Sequence, residues 1–481
     1  MPSRRSPRLS ALFGMSYSGG KIFGKWRCND RILVIMTGGP AVIPSGVIER
    51  EADMSICPEG YMPRIVDAEV QECLAIYGAV EICGTKWCGK TWTSMRHGES
   101  IVHIDEGQNL AMAQADSGAA LAGAKPHVID EWQLVPRIWD TVRHAVDDAG
   151  GGRGLWILTG SSTPRKGEVN HSGAGRIGRV RMLPMSLFES GDSTGEVSLA
   201  ALFEGDFERA TCGMDTEGLL GVCVRGGWPA VRDLAPSRAL RVARDYLKAT
   251  LAQGVPRRGG REDVAQRLVC SIARNLGQPT TNKILLRDMF GAEGDAASIA
   301  ERTVSDYLAL LEALYVLEPI RGWAPPARSS KRFQTKERRY LADPALAVAT
   351  LQMNELSLRR DWQTFGLIFK NLCVRDLLVY ARALPDASED PVHYYRDDSG
   401  LEADAIVEQA DGRWAAIEVK LGEDKVDEAA AHLLRLERKL TSNERARMQP
   451  PEFLAVVVGL ARQAYRREDG VYVIPVGCLG P

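Results

Sequence analysis

The sequence comprises 481 residues, of which 45% are hydrophobic and 25% are charged, a composition typical of a soluble globular protein. One hydrophobic core does not support a chain of this length, so two or three domains are expected. The formal net charge of -2 excludes a global basic field that would attract nucleic acid, so any such contact requires a local patch.

The first segment, residues 1–60, is rich in Gly, Ser and Arg and is predicted to be a poorly structured extension. Met54 is a second plausible translation start, in which case residues 1–53 would not belong to the protein. The ten cysteines show neither zinc-site spacing nor a secreted disulfide framework, which indicates a reducing cytoplasm. The sequence has no run of about 18 apolar residues, so no membrane span is predicted.

From Tyr61 to about residue 200, the apolar pattern alternates between helix and strand. "VDAEVQECLAIYG" has helical spacing, and "AVEIC", "SIVHID", "KPHVID" and "GLWILTG" are short buried strands. Strands that alternate with helices predict an α/β fold with a mostly parallel sheet covered on both faces.

The stretch "GTKWCGKT" has the spacing Gly-x-x-x-x-Gly-Lys-Thr and lies between a predicted strand and a predicted helix. Its glycines let backbone amides converge on phosphate oxygens, while the lysine and the hydroxyl serve the phosphates and a magnesium ion. A surface loop with accidental glycines is the alternative. The predicted nucleotide-binding residues are Gly84, Thr85, Lys86, Trp87, Cys88, Gly89, Lys90 and Thr91.

The stretch "HVIDEW" places Asp130 and Glu131 at the end of an apolar strand downstream of this loop. Phosphoryl transfer needs one group that holds the metal and another that orients the attacking water. Thr91 and Asp130 are therefore the predicted Mg²⁺ ligands, and Glu131 is the predicted catalytic residue that polarises the water. The alternative is a strand that ends in a solvated acidic turn.

Two further stretches offer groups that could contact the γ-phosphate. Thr159 and Ser161 stand at the tip of the strand "LWILTGSS", and Ser161 is the preferred candidate. The alternative is a serine that only forms a turn or caps a helix. In "HSGAGRIGRVRMLPMS", Arg176 or Arg179 could reach a phosphate of its own subunit or of a neighbour. Arg176 is the catalytic candidate of the two. The alternative is that it is an ordinary surface arginine.

The region from residue 201 to 339 is helix-rich, and its order of helix, helix, longer helix and strand predicts a winged helix. The basic run "ARSSKRFQTKERRY" could contact DNA phosphates, although a solvated wing loop explains it equally well. The candidate contacts are Arg328, Lys331, Arg332, Lys336, Arg338 and Arg339.

The region from residue 340 to 481 returns to α/β, with three predicted strands joined by turns at "DDSG" and "ADG". Asp404 lies on one strand, and Glu418 and Lys420 lie two apart on the next, so they share a face. Two carboxylates and a lysine can bind a divalent metal and position a water against a phosphodiester, with help from Glu402. A solvated charged face is the alternative.

Together these motifs resemble the bacterial and archaeal AAA-type ATPases of the AAA+ superfamily that carry a characteristic carboxy-terminal domain of unknown function. The resemblance covers nearly everything after Tyr61, and it rests on "GTKWCGKT", "VIDEWQ", "LTGSS", "GRIGRVRMLPMSLFE", "RGGWPA", "TVSDYLALLEALYVLEPI", "YLADPALA", "YYRDDSGLEADAIVE" and "AAIEVKLG". It implies an ATP-binding domain at 61–200, a winged-helix region at 201–339 and a restriction-endonuclease-like domain at 340–481.

The chain departs from this family at two places. Trp87 and Cys88 stand in the loop where relatives tend to have smaller or polar residues. Because backbone amides bind the phosphates, we expect binding to survive these side chains. Lys370 in "FGLIFKNLCVRDLL" stands where the family commonly has a glutamate that helps to hold metal in similar nucleases. A lysine there would repel the cation, which argues against cleavage.

The sequence thus predicts a cytoplasmic, Mg²⁺-dependent ATPase whose nucleotide state repositions a nucleic-acid-facing terminal domain. Two alternatives stay open. One is an ATP-regulated nuclease that acts through Asp404, Glu418 and Lys420, and the other is a non-catalytic, nucleotide-gated module. The expected partners are ATP, DNA through the basic run, and a second copy or a protein partner, with no membrane.

Overall fold

A computed structural model of the chain describes residues 56–164, 167–291, 300–323, 336–442 and 448–481, together with three strands nearer the amino terminus. The chain divides into two units, residues 1–54 and 55–481. The first unit contains the antiparallel strands β1 (Met15–Ser18), β2 (Lys21–Cys28) and β3 (Arg31–Met36). These strands depart from the poorly structured extension predicted at 1–60; residues 56–60 of that segment form no helix or strand, and its other residues lie outside the described ranges.

The second unit begins with a five-stranded sheet in which every neighbouring pair is parallel, in the order β5-β6-β7-β4-β8. This arrangement confirms the predicted parallel sheet, and it brings the carboxyl ends of all five strands to one edge. Its strands are β4 (Ala79–Gly84), β5 (Ser100–His103), β6 (His127–Asp130), β7 (Trp156–Gly160) and β8 (Ile177–Met182).

Helices cover both faces of this sheet because alternate strand residues point to opposite sides. Ile157 packs into one core with Val70 of α1, whereas Leu158 packs into the other with Ile138 and Val142 of α4. The helices are α1 (Asp67–Ile76), α2 (Lys90–His97), α3 (Asn109–Ala115), α4 (Arg137–Asp148) and α5 (Leu187–Ser190).

A helical region follows, and its last three helices lead into an antiparallel hairpin, β10-β11. Residues 324–335, which join the two hairpin strands and carry Arg328, Lys331 and Arg332, lie outside the described residues. The elements are β9 (Val197–Ser198), α6 (Leu199–Phe203), α7 (Thr216–Arg225), α8 (Pro236–Arg257), α9 (Glu262–Arg274), α10 (Asn282–Phe290), α11 (Glu301–Ala313), β10 (Leu317–Ile320) and β11 (Arg338–Leu341).

The last region contains a six-stranded mixed sheet in the order β12-β13-β14-β15-β17-β16, with β12, β13 and β14 antiparallel as the turn signals predicted. Strand β18 lies outside this sheet and pairs in parallel with β9. The elements are α12 (Pro344–Thr350), α13 (Glu355–Arg360), α14 (Trp362–Arg382), β12 (Ala387–Arg396), β13 (Glu402–Gln409), β14 (Trp414–Lys420), α15 (Val426–Thr441), β15 (Phe453–Val458), β16 (Tyr465–Arg466), β17 (Tyr472–Pro475) and β18 (Leu479–Gly480).

The largest hydrophobic core joins these regions. It runs from Leu183 at the end of the first sheet, through the helical region, to Leu479 on β18. A smaller core fills the other face of the six-stranded sheet under α15. Among the described residues, no helix is both long enough and apolar enough to cross a membrane.

Candidate functional site

The predicted phosphate loop leaves the carboxyl end of β4 and enters the amino end of α2. Gly84 has φ +148°, and a Cβ there would lie 2.0 Å from the Met182 carbonyl oxygen, so only glycine fits. Gly89 caps α2 with φ +107°, a left-handed conformation that favours glycine. Lys90 is buried, and its Nζ donates to the Thr85 carbonyl oxygen at 2.9 Å. The loop therefore has the backbone shape that phosphate binding at a helix amino terminus needs.

The four middle residues of the loop have different surroundings. Thr85 is buried and donates to the Tyr315 carbonyl oxygen at 3.3 Å, and the Cys88 side chain is buried as well. Lys86 is exposed, but its carbonyl oxygen accepts a hydrogen bond from Trp228 Nε1 at 3.1 Å. Trp87 has φ 66° and is 53% exposed. The side chains of Thr85 and Cys88 are thus buried in the protein, whereas those of Lys86 and Trp87 are exposed.

Asp130 lies at the carboxyl end of β6 and accepts a hydrogen bond from the first turn of α2. Thr91 Oγ1 donates to Asp130 Oδ1 at 3.0 Å, and the Thr159 hydroxyl donates to the same oxygen. His103 Nδ1 lies 2.9 Å from Asp130 Oδ2, because His103 is the register partner of Asp130 in the sheet. A hydroxyl beside a carboxylate is a set of oxygen donors that fits Mg²⁺. The two predicted metal ligands are therefore neighbours.

Glu131 is the first residue after β6 and adopts φ 56°, which is uncommon for a residue other than glycine. Its Oε2 accepts hydrogen bonds from Ser161 Oγ at 3.1 Å and from Gln133 Nε2. The Glu131 carboxylate is therefore held by Ser161, which follows the end of β7, and by Gln133. Gln133 was not singled out from the sequence, and its position two residues after Glu131 in "VIDEWQ" was the available signal.

The structure places Arg176 away from the loop of its own chain. Strand β8 runs parallel to β4 with Ile177 opposite Ala79, so Arg176 stands at the amino edge of the sheet while the loop leaves from the carboxyl edge. Its Nε donates to Asp147 Oδ1 at 2.9 Å. Arg176 cannot reach the nucleotide site of its own chain, and a contact with a neighbouring copy stays a prediction. Arg179 is likewise engaged, with Nε 2.6 Å from Glu81 Oε2.

A cavity of about 390 Å³ opens beside the loop and supplies cationic groups that sequence reasoning missed. Lys86, Glu131 and Ser161 line one side, and Arg257 and Arg258 at the end of α8 line the other. Arg258 donates to the Thr163 carbonyl oxygen. Arg257 is exposed and has no ion-pair partner among the described residues. No local motif marks these arginines, because they reach the site only through the packing of α8.

Behind the loop, a buried ion pair holds its backbone in place. Arg64 Nη1 donates to the Cys88 carbonyl oxygen at 2.6 Å, and Arg64 Nε lies 2.9 Å from Glu189 Oε1. Both side chains are at most 3% exposed. Burial alone would raise the pKa of Glu189, but the charge and hydrogen bonds of Arg64 hold that pKa below its ordinary value. The pair joins α5 to the loop, and its members are too far apart in sequence for a motif to reveal them.

The second predicted site, on β13 and β14, contains three cations among its carboxylates. Asp404 is buried, and its Oδ1 accepts from Lys370 Nζ at 2.6 Å and from Arg338 Nη1 at 3.3 Å. Its Oδ2 accepts from the Val419 amide at 3.0 Å. Although burial opposes it, the charges of Lys370, Lys420 and Arg338 lower the pKa of Asp404 to about 2. Asp404 is therefore ionised, and the neighbouring cationic side chains balance its negative charge.

Glu418 and Lys420 share a face of β14, as predicted, and Lys420 Nζ lies 2.7 Å from Glu418 Oε2. Burial, and then the charge of Asp404, raise the pKa of Glu418 to about 8. Among the described residues, no group of three or more His, Cys, Asp or Glu side chains could hold a metal ion. The residues of this site do not fit a catalytic divalent cation, because the Lys370 ammonium stands where a cation would have to bind Asp404.

The basic run is also only partly available for phosphate contacts. Arg338 faces inward to Asp404 and Glu402, and Arg339 Nη1 donates to the Thr280 carbonyl oxygen at 2.9 Å. Lys336 is exposed. The burial of Arg338 and its ion pairs do not favour the predicted contact with DNA, whereas the contacts predicted for Lys336 and Arg339 stay predictions.

The raised pKa of Glu418 gives a test of this cluster. Between the ordinary value of 4.5 and the folded value of about 8, the folded protein keeps a proton that the unfolded chain releases. The free energy of unfolding must therefore fall as pH rises through this window. Glu418→Gln removes the titration, so we expect its free energy of unfolding, measured by urea denaturation, to fall less than that of wild type, by on the order of 1–3 kcal/mol.

The exposed Glu428, which pairs with Lys425 at 3.7 Å, provides the matched control. Glu428→Gln should show the same pH dependence of the urea midpoint as wild type. A Glu418→Gln profile that runs parallel to wild type would show that Glu418 does not carry a proton in the folded state.

Three family models match separate parts of the chain. Residues 77–190 match an AAA domain, residues 216–357 match a domain of unknown function (DUF8612), and residues 365–479 match a domain of unknown function (DUF4143). The parallel sheet and the loop agree with the match of residues 77–190 to an AAA domain. The matches for the two later regions name no winged helix and no endonuclease.

Comparison with curated proteins found no match. Among solved structures, the chain is similar to a Walker-type ATPase of Pyrococcus abyssi, at 14% identity and a TM-score of 0.36 over 59% of this chain and 94% of that one. It is similar to a RuvB variant of Thermotoga maritima, at 16% identity and a TM-score of 0.26 over 56% and 92%. It is also similar to the ORC1 protein of Aeropyrum pernix in complex with DNA, at 15% identity and a TM-score of 0.25 over 64% and 96%. At these scores the likenesses carry no argument about function.

Proposed function

We propose that this chain binds ATP together with Mg²⁺ and hydrolyses it slowly. The observation that carries the proposal is the meeting of Lys90, Thr91, Asp130 and Glu131 at one edge of the parallel sheet, where the loop amides and the amino end of α2 are also directed. Phosphoryl transfer needs this combination of a cation, metal ligands and a separate base.

Each side chain has a distinct role in this proposal. Lys90 neutralises the β- and γ-phosphates, and Thr91 and Asp130 would hold the metal ion. When bound, Mg²⁺ supplies positive charge to the phosphate oxygens. Glu131, oriented by Ser161 at 3.1 Å, accepts a hydrogen bond from the attacking water. Ser161 therefore acts through Glu131.

Arg257 supports the proposal from the other side of the cavity. An exposed guanidinium without an ion-pair partner among the described residues is a suitable donor to the charge that develops on the γ-phosphate. Because Arg257 belongs to α8, its approach to the nucleotide would connect the state of the site to the position of the helical region.

Glu131→Gln tests the assignment of the base. The amide keeps the size of the side chain and its hydrogen bond to Ser161 but cannot accept the proton, so turnover is expected to fall roughly 100-fold to 10,000-fold. ATP affinity should change only a few-fold, since Lys90 and Thr91 are untouched. Turnover is measured by phosphate release, and affinity by titration with a fluorescent ATP analogue.

The control for this prediction is Glu99→Gln, an exposed glutamate beside the amino end of β5 at the opposite edge of the sheet. It should retain wild-type turnover. Equal turnover in Glu131→Gln and wild type would require a different base.

We further propose that the nucleotide state repositions a winged-helix-like and endonuclease-like carboxy-terminal module, with DNA as the candidate partner. Helices α9, α10 and α11 followed by the hairpin β10-β11 support the first likeness. The order α14, three antiparallel strands, α15 and a parallel strand supports the second. The contact of Trp228 with the loop carbonyl of Lys86 supports a link between the nucleotide site and the helical region.

Nuclease activity is the weaker alternative, because Lys370 and Arg338 neutralise Asp404. The deciding experiment measures ATP turnover with and without double-stranded DNA, alongside nicking of supercoiled plasmid with Mg²⁺ or Mn²⁺. Turnover raised by DNA without nicking would support the DNA-coupled ATPase. Nicking that Asp404→Ala abolishes would support the nuclease. Turnover that DNA leaves unchanged would favour a protein partner.

A further inference from the structure

The turn that joins α11 to β10 contains a tyrosine in an unusual backbone conformation. Tyr315 is the second residue after α11 and the second before β10, and it is 7% exposed. The Val316 amide donates to the Leu311 carbonyl oxygen at 3.0 Å, so Tyr315 holds the position after the helix end that glycine usually fills. Its φ of 54° is uncommon for a bulky residue and persists only where the surroundings fix it. The contacts of Tyr315 explain why a tyrosine stands there.

The backbone of Tyr315 contacts the phosphate loop. Thr85, the second residue of the loop, donates its hydroxyl to the Tyr315 carbonyl oxygen at 3.3 Å, and Thr85 is fully buried. In the proposed function, the loop surrounds the phosphates that ATP and ADP share. This hydrogen bond therefore joins the turn to the part of the site that both nucleotides would occupy.

The side chain of Tyr315 contacts the segment that follows β7. Thr163 Oγ1 donates to the Tyr315 hydroxyl at 3.0 Å, and the Thr163 amide donates to the Ala313 carbonyl oxygen at 3.0 Å. Two residues earlier, Ser161 donates to Glu131. Thr163, Ser161 and Glu131 line the same cavity, on the side where the proposed function places the γ-phosphate. ATP has this group and ADP lacks it, so the segment is where the two nucleotides would differ.

The ring of Tyr315 lies against an arginine of β8. The Arg181 guanidinium carbon is 3.9 Å from the ring centroid, and the guanidinium also pairs with Glu318 on β10. Arg181 stands opposite Cys83, the residue before the loop, in the parallel register of β8 and β4. Tyr315 and β10 are therefore both held at the carboxyl edge of the first sheet.

We propose that Tyr315 transmits the presence of the γ-phosphate from the segment after β7 to the hairpin β10-β11. The described residues that line the cavity beside the loop do not include Tyr315, so it is a positioning residue that acts through Thr163 and Thr85. A ligand shifts a conformational equilibrium only through a difference in its interactions with the two states, and the γ-phosphate supplies that difference. This inference rests on the proposed nucleotide site and names the residue by which that site controls the hairpin.

The test measures hydrogen–deuterium exchange of the full-length protein saturated with Mg²⁺ and either ADP or a non-hydrolysable ATP analogue. In wild type, peptides that cover Leu317–Ile320 and Arg338–Leu341 should exchange at rates that differ about five-fold or more between the two nucleotides. Tyr315→Phe removes the hydroxyl but keeps the ring. It should bind both nucleotides with nearly wild-type affinity and lose most of this difference. Thr163→Val removes the same hydrogen bond from the other side and should have the same effect.

Tyr340→Phe is the matched control. Tyr340 lies on β11 of the same hairpin and is 1% exposed, and its hydroxyl has no hydrogen-bond partner among the described residues. This variant should keep the wild-type difference in exchange. A turn that only packs against the first sheet would protect the hairpin equally with either nucleotide.

The possible failures of this experiment are distinguishable. Wild type that binds both nucleotides but shows the same hairpin exchange with each would overturn this inference and leave the proposed nucleotide site intact. Retention of the wild-type difference by Tyr315→Phe would overturn the role of its hydroxyl. Absence of nucleotide binding in wild type would instead overturn the proposed function, and this inference with it.

Discussion

Lys90→Ala should abolish most ATP turnover, with a loss on the order of 100-fold or more. The Lys90 ammonium is buried at the start of α2, and Thr85 holds it in the loop at 2.9 Å. Of the two lysines in the loop, Lys90 is buried and Lys86 is exposed. Without Lys90, the β- and γ-phosphates would lose the buried ammonium that the loop places beside its amides. Phosphate release and binding of a fluorescent ATP analogue measure the two effects.

Lys125→Ala is the control for this prediction. Lys125 lies at the amino edge of the sheet, with Nζ 4.1 Å from the Trp156 ring centroid, so its loss leaves the loop intact. We expect wild-type turnover and affinity from this variant. ATP binding by Lys90→Ala at wild-type affinity would place the nucleotide elsewhere and remove the basis of the proposed function.

Arg375→Leu should produce the largest loss of stability, about 3–5 kcal/mol in the free energy of unfolding. Arg375 Nη1 lies 2.9 Å from Asp343 Oδ2, and Nη2 lies 2.6 Å from Asp376 Oδ1. All three side chains are at most 2% exposed. Burial raises the pKa of Asp376 to about 6 even with Arg375 present. Removal of the guanidinium would leave two carboxylates buried without a counter-ion.

Urea unfolding followed by circular dichroism measures this change. The control is Arg467→Leu, which removes pairings with Asp427, a residue that is 89% exposed, and with Asp469, which is 31% exposed. Its expected cost is about 0–1 kcal/mol. Similar midpoints for the two variants would mean that the three buried charges are not needed for stability, contrary to what their burial implies.

The parts of the proposed nucleotide site could be recognised from sequence because they are local. The loop lies within eight consecutive residues, and Asp130 and Glu131 follow a strand whose apolar pattern is clear. Parallel strands bring such strand ends to one edge, so their meeting follows from the α/β alternation. The position of Arg176 did not follow from the sequence, because the start of β8 was not recognised. A residue at a strand start lies at the edge opposite the loop.

The remaining features depend on tertiary approach, which single-sequence patterns do not encode. Arg64 and Glu189 look like ordinary surface residues until α5 packs behind the loop. Lys370 was noted as a departure from the family, but its ion pair with Asp404 required the placement of α14 against β13. The same is true of Arg338, which the sequence suggested for DNA and which the hairpin turns inward.

The pairing of β18 with β9 bears on how this protein can be taken apart. Leu479 lies opposite Val197, and the largest core continues from Leu183 to Leu479, across the boundaries of all three family matches. A fragment cut at those boundaries would expose an unpaired strand and a large apolar surface. We therefore expect the three regions to fold as one unit and to resist exchange as separate modules. Truncated versions are poor tools for assigning activities to single regions, and point substitutions in the full chain are better ones.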